Sequence, residues 1–578
     1  MVKMAQVLEY RLIFPDIQSR DLKEYIAGIS KSILLKAACF FSMTTITKQT
    51  NKELLSNWFQ AGNQEFLTSI WEKVHTLERE TYIVIINPFT SLLLFELVLH
   101  EWEETASKKD DLESEKDLFM LYLLLNEKYT RKDHMVSEST KFLDTKCRPE
   151  GMYFSNSFVD CDITNYEIKK VIITQFQKAY LLLQELESNG QFNELLLKFC
   201  SYYNVIDWKE YLRKVLPLIF SIVKSKNAGN IEINVTKGAN FESDCEFLEK
   251  FSISEKETYD ADVDFLEIRS RPLLVVEKGR YVIINELFLC ERLFKGLYFK
   301  LNEINAQLEK PIVEFKSLYC DIFSEKRLVY NVLNDTFKYR YQKFSGEELH
   351  NLGISGEPDY YIRNRNKILL FESKDILIPA PVKTSGDFNQ LKKVFRNKLY
   401  FEVDHKKHKI KPKAILQIIN NIERLLTGEI FVDVDAELKG KTLNIYPILI
   451  LHDNLYNALG LNRLLNYWFD KELVKLKKKG VNVWRVRPLV ILDIDTMIYL
   501  QVAVRKTNSS YDKFIDDFIR EVVNINIKNA RSYNQAKAMI EQSMISLSFY
   551  LEELDIIKKN WSLTPQFEEF GKNLFTTH

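Results

Sequence analysis

Within the stretch "GEPDYYIRNRNKILLFESKD" three residues, Asp359, Glu372 and Lys374, have the types and spacing to hold a hard metal ion and steer a water molecule. Side chains two apart on a strand share a face, so an apolar run Ile368-Leu369-Leu370-Phe371 that ends in Glu372-Ser373-Lys374 delivers an acid and a base together. Asn364-Arg365-Asn366-Lys367 reads as a turn, and a hairpin folding back there returns Asp359 close to Glu372. Two neighbouring carboxylates repel unless a cation lies between them, and Mg²⁺, with Mn²⁺ as its substitute, is the usual ion for such oxygen ligands. A lysine beside the pair can orient or deprotonate an attacking water, or stabilise charge on a phosphate.

Helices and strands must surround this hairpin for the chemistry to be held in place. The spacing predicts helices over about 286–308 and 324–337, the latter carrying Glu325 on the same face as Leu328, Val329 and Val332, an unusual position for an acid with no task. After the hairpin come a charged insertion, a helix over about 413–427 closed by Gly428, and two buried strands, "LNIYPILILH" and "PLVILDID". On the helix, Gln417 heads a polar stripe continuing through Asn420, Asn421 and Arg424. The acid-x-Lys form also occurs at Asp21-Leu22-Lys23, Glu167-Ile168-Lys169, Asp404-His405-Lys406 and Glu437-Leu438-Lys439. Only the set from 359 to 374 combines spacing, strand context and flanking helices.

Pro358-Asp359 followed by Glu372-Ser373-Lys374, each set against apolar residues, resembles the PD-(D/E)xK nuclease superfamily over about residues 320–500. The resemblance implies a restriction-endonuclease-like α/β core, a mixed central sheet flanked by helices, within a multidomain and mostly helical protein. By it Asp359 and Glu372 bind Mg²⁺, Lys374 serves the nucleophilic water, Glu325 is the acid of the preceding helix and Gln417 the glutamine of the following one. One branch of the superfamily pairs that glutamine with a tyrosine four residues later, where this chain has Asn421.

Between 381 and 413 ten Lys/Arg face three Asp/Glu, in a chain whose formal net charge is zero. With Phe395, Tyr400 and Phe401 interleaved, this segment reads as a phosphate-facing patch, and Lys383, Lys392, Lys393, Arg396, Lys398, Lys406 and Lys407 are its candidate nucleic-acid contacts. His405 and His408 beside Asp404 lack further ligands nearby for zinc.

The 578 residues, 46% hydrophobic and 28% charged, suit a soluble protein of several domains, and scarce Gly (17) and Pro (13) favour helices. The expected divisions are a helical region over 1–235, a mixed α/β connector with a hairpin around Lys278-Gly279 over 236–312, the nuclease-like unit over 313–500 and a helical region over 501–578. "YIVIINPFTSLLLFELVLH", broken by Asn87, Pro88 and Glu96, reads as a buried helix or strand–helix unit, not a membrane span. Seven scattered cysteines without a C-x-x-C pair, and no secretory leader, point to a reducing cytoplasm. Gly440-Lys441-Thr442 lacks the first glycine of a phosphate-binding loop, and "RKDH" at 131–134 is too short for the HEPN ribonuclease pattern. The expectation is a cytoplasmic Mg²⁺-dependent endonuclease, with DNA favoured over RNA as substrate. A place in prokaryotic antiviral defence or restriction follows by analogy of fold. The helical N-terminal region would supply a surface for a protein partner. The alternative is a nucleic-acid-binding or scaffold protein on the same fold without catalysis.

Overall fold

The computed structural model describes residues 5–106, 108–141, 143, 148–225, 229–259, 262–337, 341–404, 409–429, 443–507 and 511–576. The chain is mostly helical, with small mixed sheets. Strands β1 (Ala5–Val7) and β2 (Tyr82–Val84) pair in parallel within the helical N-terminal part. β2 leads into the helix Pro88–Glu101, so the greasiest stretch of the sequence is a strand–helix unit whose helix buries Leu92, Phe95 and Leu99. Four short strands form the second sheet: β3 (Glu232–Asn234), β4 (Ser252–Ser254), β5 (Leu273–Glu277) and β6 (Arg280–Ile283), in the order β3-β6-β5-β4. Its hairpin turns at Lys278-Gly279, with Gly279 at φ 83°, a value that favours glycine. The described stretch 229–259 thus contributes two strands and the helix Phe241–Glu249 to this unit. The helix expected over 286–308 is two, Glu286–Glu291 and Lys295–Ala306.

The third sheet carries Asp359, Glu372 and Lys374 at one end. Its strands β7 (Gln342–Ser345), β8 (Tyr360–Asn364) and β9 (Lys367–Lys374) form an antiparallel meander. β12 (Asn444–Leu451) and β13 (Val490–Asp493) extend it in parallel, giving the order β13-β12-β9-β8-β7. Between β9 and β12 the chain forms a projecting ribbon, β10 (Phe401–Asp404) against β11 (Lys409–Pro412). The β8–β9 turn spans only Arg365 and Asn366, because Asn364 pairs with Lys367. Arg365 takes φ 57°, and the Arg363 guanidinium donates to its carbonyl at 2.9 Å.

β9 is apolar on both sides because both sides are covered. Leu369 and Phe371 enter a continuous core that runs from Leu8 to Leu574 and joins the N-terminal helices, the four-stranded sheet and the C-terminal helices. Ile368 and Leu370 enter a second core with the helices Phe388–Phe395, Ala414–Thr427 and Leu461–Lys478. Ala414–Thr427 buries Ile415, Ile418, Ile422 and Leu425 at helical spacing and ends at Gly428, φ 74°.

On the larger core's side runs one continuous helical path, Phe315–Tyr319, Cys320–Val329 and Tyr330–Thr336, nine residues longer at its start than the expected helix. Its middle segment has the wider i→i+5 hydrogen bonding of a π-helix, a distortion that shifts which residues face inward. Among the described residues no helix is long and apolar enough to cross a membrane.

Candidate active site

Antiparallel pairing of Tyr360 with Phe371 carries the hairpin one step further to set Asp359 opposite Glu372. The spacing therefore does what it promises: Asp359, Glu372 and Lys374 meet on one face of the sheet. The Lys374 ammonium lies 2.5 Å from Glu372 Oε1 and 3.7 Å from Asp359 Oδ2. Ser373 contributes its backbone, donating N–H to Asp359 Oδ2 at 2.6 Å. The backbone of Asp359 is itself held, since Gly346 N–H donates to its carbonyl at 2.8 Å where the Ser345/Glu348 capping box opens a short helix. A Cβ on Gly346 would lie 3.3 Å from that carbonyl, so the close approach favours glycine.

Glu325 comes from the π-helical segment. Its carboxylate accepts from Tyr330 Oη at 2.8 Å and lies within electrostatic reach of Asp359 and Lys374. Its neighbour Ser324 also points inward, donating to Asp375 Oδ2 at 2.7 Å, while Lys316 holds Asp375 Oδ1 at 2.8 Å. The wider helical turn lets these adjacent residues serve two neighbouring carboxylates. On the opposite face of β9, Ser373 Oγ and His452 Nε2 are 2.8 Å apart, and burial pushes the imidazole down to about 4, so it is neutral at neutral pH.

Three carboxylates thus share one ammonium. Burial, then the charge of Asp359, pushes Glu372 up to about 8, and the same two causes push Glu325 up to about 7. Burial acts to lower Lys374, but the charges of Glu372 and Asp359 outweigh it and hold the ammonium protonated. Glu372 is fully buried, and its Oε2 has no hydrogen-bond partner among the described residues. A buried carboxylate oxygen left unpartnered beside a second acid fits a divalent cation held by Asp359 and Glu372. No group of three or more His, Cys, Asp or Glu is placed to hold a metal among the described residues.

Gln417 is half-buried on the helix Ala414–Thr427, which packs against β9, and its side chain makes no hydrogen bond among the described residues. Asn421 departs from the expected polar stripe: it is buried, with Oδ1 unpartnered. Arg424 leaves the stripe to donate to Ser355 O at 2.7 Å.

The basic insertion divides. Lys392 and Lys393 are exposed on a helix whose other face buries Phe388, Leu391 and Phe395, while Arg396 lies over Phe401 at 5.4 Å. Lys398 is half-buried, and burial together with the positive charges of Lys413 and Lys316 lowers its pKa, which sets it between the insertion and the helix beside Asp375. Lys383 does not belong to this surface. It is 3% exposed and pairs with Asp162 at 2.9 Å and Asp264 at 2.7 Å, so a cation read as a phosphate contact is a core ion-pair partner. Lys406 and Lys407, with His405 and His408, lie outside the described residues, as does Gly440-Lys441-Thr442.

Sequence reasoning passed over Tyr330, Lys316, Asp375 and His452. Asp375 directly follows the Glu-Ser-Lys triplet and was open to notice; His452 is linked only by strand register, which spacing along the chain does not reveal. Comparison with family models, with curated proteins and with solved structures gives no match.

Proposed function

We propose that this chain is a metal-dependent phosphodiester hydrolase, an endonuclease built on a restriction-endonuclease-like core over about residues 320–500. The observation that carries the reading is the shared contact of Lys374 with Asp359 and Glu372 beside the unpartnered Glu372 Oε2. The order of elements supports it: a helix bearing an acid, an antiparallel meander bearing the triad, a helix, then a parallel strand.

Asp359 and Glu372 would hold Mg²⁺, or Mn²⁺ in its place. When bound, such an ion polarises a phosphoryl oxygen and lowers the pKa of water. Lys374, kept charged by its carboxylate neighbours, acts as a donor that orients the water and stabilises charge growing on the phosphate, not as a base. Glu325, whose carboxyl is raised by burial and by the charge of Asp359 in the metal-free chain, is the residue of this cluster that would exchange a proton with that water. Tyr330 fixes its orientation through the hydrogen bond at 2.8 Å. Lys392, Lys393, Arg396 and Lys398 supply positive charge toward the substrate backbone, with DNA favoured over RNA. Service in a prokaryotic defence or restriction system, in the cytoplasm, remains part of this proposal by analogy of fold.

The test is incubation of the purified chain with plasmid, linear duplex, single-stranded DNA and RNA in Mg²⁺, Mn²⁺ or EDTA. Cleavage in the metal arms, absent in EDTA and lost in Lys374→Ala, is the expected result. Binding without cleavage in every arm favours the scaffold reading.

A further inference from the structure

A second basic surface lies at the other end of the five-stranded sheet, and nothing in the chemistry above uses it. Between 467 and 487 the chain carries seven Lys/Arg against two Asp/Glu. One of those acids, Glu472, is buried, with its carboxylate bonded to Tyr400 Oη and to Lys475 at 2.7 Å. Along the helix Leu461–Lys478, Tyr467, Lys471, Val474 and Lys478 recur at steps of three and four and so share one face, which is exposed. Tyr467 is 43% exposed, with the Lys471 ammonium 4.2 Å from its ring centre. The loop that follows, turned by Gly480 at φ 88°, ends in Trp484, which is 66% exposed and carries the Arg485 guanidinium 4.3 Å from its ring centre.

Last-turn lysines are favoured by the helix dipole, which accounts for Lys475, Lys477 and Lys478 by themselves. It does not account for a large indole held in solvent, nor for a second aromatic–cation couple, Tyr467 with Lys471, on the exposed face of the helix. The loop is not slack: Ile445 N–H donates to Arg485 O at 3.2 Å and Arg487 N–H to Ile445 O at 2.8 Å, so the backbone beside Trp484 is pinned to β12. Lys479 and Arg487 are tied to Glu423 and Asp516, whereas Lys477 and Lys478 form no ion pair among the described residues. An aromatic ring on a fixed loop, with the exposed Lys477 and Lys478 in the helical turn that precedes the loop, matches the base-stacking and phosphate-tracking needs of a single strand. The exposed apolar groups are few and scattered among lysines, too little for a membrane-inserting face.

We propose that Trp484, Arg485, Lys477, Lys478 and the Tyr467–Lys471 couple form an accessory site for single-stranded nucleic acid, with a base stacked on Trp484. Register places the Trp484 loop at the Ile445 end of β12, whereas Lys374 aligns with Leu451, so the loop and Lys374 are separated along the strands by about 20 Å. A strand engaging both would be tethered outside the cleft that cuts it.

The experiment measures binding of a labelled single-stranded oligonucleotide to the full chain by anisotropy in EDTA, so the answer does not depend on whether the chain cleaves. Trp484→Ala is expected to weaken binding about tenfold, and Trp484→Phe to restore most of it, because stacking needs only a π-face. Lys477→Glu with Lys478→Glu is expected to flatten the log–log salt dependence by about 1.4, two phosphate contacts at about 0.7 each. Unchanged affinity in Trp484→Ala together with an unchanged slope in the lysine double variant overturns the proposal. So does binding of anionic vesicles or of an acidic peptide that depends on Trp484 while oligonucleotide binding does not.

Discussion

Two of the molecule's clusters of buried charge are composed in opposite ways. In one, Arg269 reaches Asp162 at 2.8 Å, Asp264 at 3.2 Å and Glu291 at 3.3 Å, Lys383 bridges Asp162 and Asp264, and Lys295 joins Glu291 at 3.1 Å to Asp453 at 2.9 Å. Each of its carboxylates has a cation at ion-pair distance. Although burial alone would raise it, Asp162 is held well below the ordinary carboxylate range by Lys383 and Arg269. In the other, Glu325, Asp359 and Glu372 share the single ammonium of Lys374, and two of the three carboxyls are pushed upward. The first cluster is electrically near completion and ties the N-terminal helices, the connector and the start of the insertion together. The second is short of positive charge, a state that costs stability and that a bound cation relieves.

Removing a cation from the balanced cluster is expected to have the largest effect on folding. Arg269→Ala takes the shared guanidinium from three buried carboxylates, leaving Asp162 and Asp264 to divide Lys383 and Glu291 to rely on Lys295, and should cost about 3–5 kcal/mol in chemical denaturation, while any Mg²⁺-dependent melting shift persists. If Arg269→Ala erased the metal response and left stability unchanged, the roles assigned to the two clusters would be reversed.

At the deficient cluster the effect moves from stability to chemistry. Lys374→Ala is expected to lower cleavage by about 10²–10³-fold, the usual cost of losing one preorganised donor to developing charge. Asp359→Asn should abolish the Mg²⁺-dependent melting shift yet leave the metal-free protein as stable as wild type or more so, because it removes a repulsive neighbour of Glu372. A metal-free Asp359→Asn protein markedly less stable than wild type would instead make Asp359 a structural ion-pair partner.

The clusters should also respond to pH with opposite sign. Glu372 and Glu325 are raised in the folded state, so between the ordinary 4.5 and about 8 the folded protein binds more protons than the unfolded chain, and stability falls as pH rises through that window. Asp162 is lowered, so its contribution is present above the ordinary 3.8 and is lost as pH falls below it. Saturating Mg²⁺ favours the ionised carboxylates and should flatten the alkaline decline while leaving the acid limb unchanged. Melting curves from pH 3 to 9 with and without Mg²⁺ measure both limbs, and a metal effect confined to the acid limb contradicts the assignment.

What was legible in the sequence followed the range of the interactions. The hairpin, the meeting of Asp359 with Glu372, the helix closed by Gly428 and the β5–β6 turn at Gly279 all rest on contacts between near neighbours, where strand alternation and turn chemistry decide. Glu325 was legible because an acid on an apolar helical face needs a reason. Lys383 was not, because its partners Asp162 and Asp264 lie more than a hundred residues away in the chain and composition alone made it look like its neighbours Lys392 and Lys393. Asn421 was misplaced for a related reason: two consecutive asparagines read as one polar face, yet the helix turns the second into the core. The Trp484 surface escaped because a tryptophan is ordinarily read as core, and only its exposure marks it.

The smallest effect separates Lys383 from the lysines it was grouped with. Lys392 and Lys393 are exposed and counterbalance a buried apolar face, so reversing both to Glu should leave melting near wild type. If they meet phosphates of a duplex, the same change lowers the log–log salt slope of binding by about 1.8, at about 0.9 per contact. Arg396, half-buried over Phe401, should show a smaller change in slope and some loss of stability, since its guanidinium also packs. Lys383→Glu should do the reverse of the exposed pair: it sets a fourth acid among Asp162, Asp264 and Glu291, so the fold weakens while the slope of whatever protein remains folded is unchanged. Salt titrations of duplex binding in EDTA, run beside melting curves for the three variants, decide the matter. Equal slopes for Lys392→Glu/Lys393→Glu and wild type would return that helix to a solvated face and leave its two lysines without a part in substrate binding.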